Sequence, residues 1–167
     1  MASTQSWTEY NGATPTVTPT RTEVNWKTID DSTTAYTSSP VTVPAAGTTY
    51  SFSKVQALVF AGTWNSLSAF TYKVSTAAPG TGVVLNADVL TVYTQPATTS
   101  QPASAASTTG TAANFSSSTT PFTAGTTSTT AGGTMYVNAY RTQLAVGTTA
   151  GPGDTTSVTV TASWTES

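Results

Sequence analysis

The chain has 167 residues with five basic and seven acidic side chains, a net charge of −2, no histidine and no cysteine. Charged residues make up only 7% and threonine about a quarter of the chain, whereas an ordinary soluble domain is about 25% charged. This composition excludes imidazole and thiol chemistry, gives no cationic face for nucleic acid, and leaves no apolar run of about 18 residues for a membrane span.

Threonine is β-branched and favours the pleated backbone, so an all-β chain is expected before any pattern is sought. Residues 1–20 are expected to be an extended N-terminal arm. Trp7, Tyr10 and Val17 are isolated apolar anchors among Thr, Ser and Gly, and Pro15 and Pro19 favour extended backbone. Large aromatics anchor interfaces, so Trp7 and Tyr10, with the apolar Val17, are candidate contacts with a partner. The start of the chain has no basic residue followed by an apolar stretch, and is not expected to be a secretory signal.

Residues 21–167 are expected to form one domain. The first strand is expected at 22–29, where Val24, Trp26 and Thr28 alternate, and Asp30, Asp31 and Ser32 then make a turn. A second extended stretch covers 35–43. The strongest signal lies at 50–74. Here Val55–Phe60 suits a strand buried on both faces, and Phe70, Tyr72 and Val74 alternate beyond the Gly62–Ser66 turn, as in a hairpin. Two strands follow at 83–85 and 88–93. Residues 94–131 are low in complexity and are expected to be a long Thr/Ser/Ala-rich loop pinned by Phe115 and Phe122. A second hairpin is expected from 135–146 and 157–164, the latter with Val158, Val160, Ala162 and Trp164 inward and hydroxyls outward. Seven or eight antiparallel strands without helical periodicity suit a two-sheet sandwich of immunoglobulin-like or jelly-roll type.

Few residues in the chain suit catalytic or metal chemistry. Asp30 and Asp31 are the only adjacent carboxylates and suit a turn. The other reading is a calcium site completed by Asp88 and Asp154. Lys27, Lys54 and Lys73 are isolated and are expected to be solvated. Serine is abundant, but no base stands ready to activate one, and the 47–53 stretch lacks the lysine of a phosphate loop. No catalytic residue, cofactor or metal is expected, and the chain is not expected to be an enzyme. The aromatics Trp7, Trp26, Trp64, Trp164, Tyr36, Tyr72, Tyr93, Tyr136 and Tyr140 suit core filling, or else a sugar-stacking platform. Trp64 and Trp7 are then the best candidates for exposure.

Two stretches resemble a known class. They are Tyr50-Ser51-Phe52-Ser53-Lys54 running into Val59–Ser68, and Tyr140–Leu144 with the 147–154 turn and the ending Ser157–Glu166. Together these are similar to the Thr-rich head-decoration (cement) and related virion proteins of tailed bacteriophages. The resemblance implies a β-sandwich on the outer capsid surface that bridges major capsid protein subunits and stiffens the shell. It also implies assembly in the host cytoplasm and a homo-oligomer, more often trimer than dimer. The expected partner-facing residues are then Trp7, Tyr10, Val17, Trp64, Phe115 and Phe122. The alternative is a carbohydrate-binding module or a tail-fibre or adhesin domain.

Overall fold

The computed structural model describes residues 3–14, 16–75, 80–90, 93–101, 104–107, 113–116, 133–136, 139–151 and 159–167. These form eleven strands and one short 3-10 helix at Tyr36–Ser38. The strands are β1 (Ser3–Asn11), β2 (Thr16–Thr18), β3 (Thr48–Tyr50), β4 (Lys54–Gly62), β5 (Leu67–Ser75), β6 (Val83–Leu90), β7 (Ser104–Ser107), β8 (Ala113–Ser116), β9 (Gly133–Tyr136), β10 (Ala139–Gly147) and β11 (Thr159–Glu166).

The large sheet runs β2-β1-β4-β10-β6-β7, and the small one β11-β5-β8. All pairings are antiparallel. Two lanes of the large sheet are broken. Strands β3 and β4 both pair with the same side of β10, at Ala145↔Tyr50 and Thr142↔Lys54. Strands β9 and β10 both lie along β4, at Phe60↔Met135 and Tyr140↔Gln56. The expected antiparallel two-sheet sandwich is the fold observed. The expected seven or eight strands fit it, since broken lanes and short edge segments supply the rest.

The period of two sorts the side chains of the large sheet onto two faces. On the inner face, Leu58, Phe60, Leu85, Ala87 and Tyr140 are buried with Trp64 and Leu67, and Val160, Ala162 and Trp164 of β11 pack onto them. Phe60 meets Trp164 edge to face with ring centroids 5.0 Å apart, a geometry that aromatic quadrupoles favour. On the outer face, Tyr10, Val55, Ala57 and Ala139 form a second core with Leu90 and Tyr93. Strand β4 is thus buried on both sides, as its apolar run suggests.

An amide network covers the rest of the outer face. The Gln143 side chain is fully buried. Its Nε2 donates to the carbonyls of Ser51 (3.0 Å), Ala97 (3.1 Å) and Thr99 (2.8 Å), and its Oε1 accepts from the Gln101 N–H at 3.0 Å. Gln101 Oε1 in turn accepts from the Ala97 N–H at 2.9 Å and from the Ser53 hydroxyl. Arg141 forks onto Asp88 at 2.9 and 2.7 Å and also reaches the Gln101 carbonyl at 3.0 Å. Residues 95–101 are therefore clamped to the sheet.

Several expectations are corrected. Residues 3–11 are not an arm. Eight of them pair with β4, from Ser3↔Gly62 to Tyr10↔Val55, and Tyr10 is fully buried. Residues 22–29 and 35–43 are not strands. Their backbone makes only isolated bonds, such as Thr28 N–H to the Ser39 carbonyl at 2.9 Å, and the segment serves as a cover. The 62–66 connection is no hairpin turn. Buried Trp64 draws the chain inward, and it crosses from one sheet to the other. The crossing is tied down by N–H groups of Asn65 and Ser66 donating to the Ser167 carbonyl at 2.6 and 3.0 Å. Strands β10 and β11 likewise lie in different sheets. The expected strands at 83–85 and 88–93 join in one strand, β6, as far as Leu90, and residues 91–92 lie outside the described residues. The 94–131 segment holds β7 and β8, with Phe115 opposite Tyr72 in the register. Phe122 lies outside the described residues, as does Asp154.

Candidate functional site: a buried charge cluster beside a two-tryptophan cleft

The irregular segment 21–36 lies over the inner face of the large sheet, next to the small sheet. Trp26 pins it there: its indole packs against the main core, and its Nε1 donates to Thr142 Oγ1 at 3.0 Å. Thr20, just upstream, has a φ of 57°. A β-branched residue in the left-handed region is strained by about 1–3 kcal/mol. The turn it makes lets the Arg21 N–H reach the Trp7 carbonyl at 2.8 Å.

Under this segment gather Glu9, Arg21, Lys27, Asp30, Asp31 and Lys54. Glu9, Lys27 and Lys54 are 1%, 2% and 1% exposed. Glu9 is the hub: Lys54 Nζ lies 3.3 Å from one oxygen and Arg21 Nε 3.1 Å from the other. The Arg21 contact is an ion pair rather than an aligned hydrogen bond. Lys54 also donates to the Asp31 carbonyl at 3.0 Å. Lys27 Nζ donates to Asp31 Oδ1 and to the Thr34 carbonyl, both at 2.6 Å. Asp30 accepts from the Gly12 N–H at 2.7 Å. With its amide nitrogen facing the two carboxylates, Asn11 donates to Asp30 at 3.0 Å and to Glu9 at 3.1 Å.

Asp31 shapes the turn expected of it. It accepts from the N–H groups of Thr33 (3.0 Å) and Thr34 (2.8 Å) and from the Thr34 hydroxyl (2.6 Å). Burial pushes its carboxyl up, but Lys27 and these three hydrogen bonds outweigh that and hold it well below the usual carboxylate range. Burial raises the Asp30 carboxyl, with the Gly12 N–H and Lys54 opposing. Burial lowers the Lys54 ammonium, with Glu9 opposing. Among the described residues no group of three or more carboxylates is placed to hold a metal ion, and Asp88, the further ligand of the alternative calcium reading, is engaged by Arg141 at 2.7 Å.

Beside the cluster is a cleft of about 110 Å³ that opens to solvent. Its walls include Trp7 and Trp26, with Arg21, Glu23, Gln56 and Thr142 supplying polar atoms. It adjoins a broader groove of about 350 Å³ that shares Arg21 and Glu23 and runs along Lys27, Thr33, Thr34 and Tyr36.

The structure scatters the expected partner-facing residues. Trp7 is half-buried in the cleft wall, whereas Tyr10 and Trp64 are buried at 0% and 1% exposure. Neither is a free interface anchor. Val17 is exposed on the edge strand β2. Lys27 and Lys54 are not solvated as expected but deeply buried. The cluster went unseen in the sequence, although it carried one signal. In a chain this poor in charge, Lys54 opens the most apolar run, and Glu9 sits between Trp7 and Tyr10; charges in such places need partners.

No family model matches the chain, no curated protein matches its sequence and no solved structure matches its fold. Among the described residues no helix is long and apolar enough to cross a membrane.

Proposed function

We propose that this chain is a structural virion protein of a tailed bacteriophage, a decoration or cement protein that binds the outer capsid surface and bridges major capsid protein subunits. One observation carries the reading: few charges stand on the exterior. Ten of the twelve charged residues have described side chains, and among these four are buried, five are half-buried and only Glu23 is exposed. The outward row of β11 is Thr159, Thr161, Ser163 and Thr165, all exposed hydroxyls. A nearly uncharged, hydroxyl-covered surface is weakly repelled by its own copies and by a protein shell. Such contacts are weak singly and add up on a symmetric lattice through multivalency. The chain acts here by adhesion, without catalysis or cofactor, and in copies associated as trimers or dimers.

The test is electron microscopy of the native phage particle that carries this chain. The expected result is ordered β-sandwich density on the outer shell at repeated lattice positions. A shell whose outer surface holds no such density overturns the proposal. Deleting residues 1–20 is not an informative test, because it removes β1 from the large sheet.

A further inference from the structure

We infer that the cleft between Trp7 and Trp26 is a binding site for a neutral saccharide, with one sugar ring in the cleft and further rings along the adjoining groove. The inference is independent of the virion reading. It rests on four features of one place.

First, the walls carry two indoles that are half-buried rather than fully buried. A pyranose ring has apolar C–H faces and a polar rim, and indole surfaces match such faces as they do other amphipathic groups. Second, the polar groups are planar and varied. The Gln56 side chain, half-buried, makes no hydrogen bond with the described chain, so it offers a donor and an acceptor to an incoming ligand. Thr142 Oγ1 accepts from Trp26, and its hydroxyl proton remains available to a ligand oxygen.

Third, the rim is balanced. Arg21 and Glu23 set one cation against one anion, and Arg21 is partly neutralised by Glu9 at 3.1 Å. A balanced rim does not select an anion or a cation, whereas vicinal hydroxyls can both accept from a guanidinium and donate to a carboxylate. Fourth, the site is held in shape beforehand. The strained Thr20 and the 2.8 Å bond from Arg21 N–H to the Trp7 carbonyl fix the rim, and the bond from Trp26 to Thr142 fixes one wall. Preorganisation lowers the ordering penalty on binding. Of the two indoles expected to be exposed, Trp7 lines this cleft, whereas Trp64 is 1% exposed and belongs to the core.

The experiment is titration of the intact chain with neutral gluco-, galacto- and N-acetylglucosamine oligosaccharides, followed by tryptophan fluorescence and calorimetry, with sulfated oligosaccharides in parallel. The expected result is binding of at least one neutral series with a Kd between about 1 μM and 1 mM. Gln56→Ala is expected to weaken it at least about tenfold while the circular-dichroism spectrum and melting curve stay unchanged, since Gln56 holds nothing else in place. Trp26→Phe is expected to weaken it as well, and Trp64→Phe to leave the affinity of the folded protein unaltered. No binding up to about 10 mM, binding that Gln56→Ala leaves intact, or binding only of the sulfated series each overturns the inference.

Discussion

The two faces of the large sheet both bury polar groups, in opposite ways. On the outer face the burden falls on neutral amides and one forked ion pair, with Gln143 meeting three carbonyls and one N–H. On the inner face it falls on full charges, with Glu9 held between Lys54 and Arg21. The difference teaches what each arrangement is suited to. Hydrogen bonds between neutral amides are indifferent to pH and salt, so the part of the outer network built on Gln143 and Gln101 is a static clamp on residues 95–101. Buried ions pay a desolvation penalty that can cancel their attraction, but removing one partner leaves a costly unmatched charge, so the set is held together as a unit. The inner cluster therefore serves to hold segment 21–36 in one register over the sheet, at the border of the cleft.

The largest contrast is expected from breaking each arrangement at its centre. Lys54→Met leaves Glu9 buried with Arg21 as its one remaining cation, beside the Asn11 amide, and should destabilise the fold by about 3–5 kcal/mol in chemical denaturation. Adding Glu9→Gln to the same chain should recover part of the loss, because the unmatched charge is then gone. Recovery of nothing by the double variant would show that packing, not charge, is what Lys54 supplies.

A smaller effect is expected on the neutral side. Gln143→Leu strands three carbonyls and the Gln101 N–H, of which those that water can reach recover a partner. The expected loss is about 2 kcal/mol, equal at pH 7 and pH 4. Limited proteolysis should then cut within residues 95–101 faster than in the parent chain.

The smallest effect separates the two faces by pH. Asp31 is held below its ordinary value of 3.8, so its ionised form stabilises the fold at neutral pH. That contribution is lost as pH falls through the unfolded value and below. Asp30 is shifted the other way from the same 3.8, so its ionised form is penalised in the fold and the penalty is relieved on acidification. The melting temperature should hold or rise slightly as pH falls from neutral towards about 3.8, as Asp30 takes up its proton, and should fall below that as Asp31 is protonated. Asp31→Asn should flatten the acid fall, and Gln143→Leu should shift the whole curve without changing its shape.

Much of the architecture was legible in the sequence. The run from Val55 to Phe60 announced a strand buried twice over, and the alternation ending at Trp164 announced β11 with its hydroxyl face. Strand β1 was illegible for a physical reason. Its partners in alternation are Ser, Thr and Gln, which carry no hydropathy contrast, so the period of two is silent until β4 lies beside it. Trp26 misled in the reverse sense. Its alternation with Val24 is real, but the segment has no neighbouring lane and packs as a cover. The sheet crossing at Trp64 depends on where a single indole fits, which spacing does not encode. The charge cluster joins residues 9, 21, 27, 30, 31 and 54 through strand pairing and the cover segment, and only the scarcity of charge pointed to it.

The most direct test of the proposed adhesive, charge-poor exterior is co-sedimentation of the purified chain with undecorated phage shells, across a series from low to about 1 M salt, where the screening length falls to about 3 Å. The expected result is saturable binding whose occupancy is the same throughout the series. Absence of binding, or binding that disappears as salt rises, would contradict it.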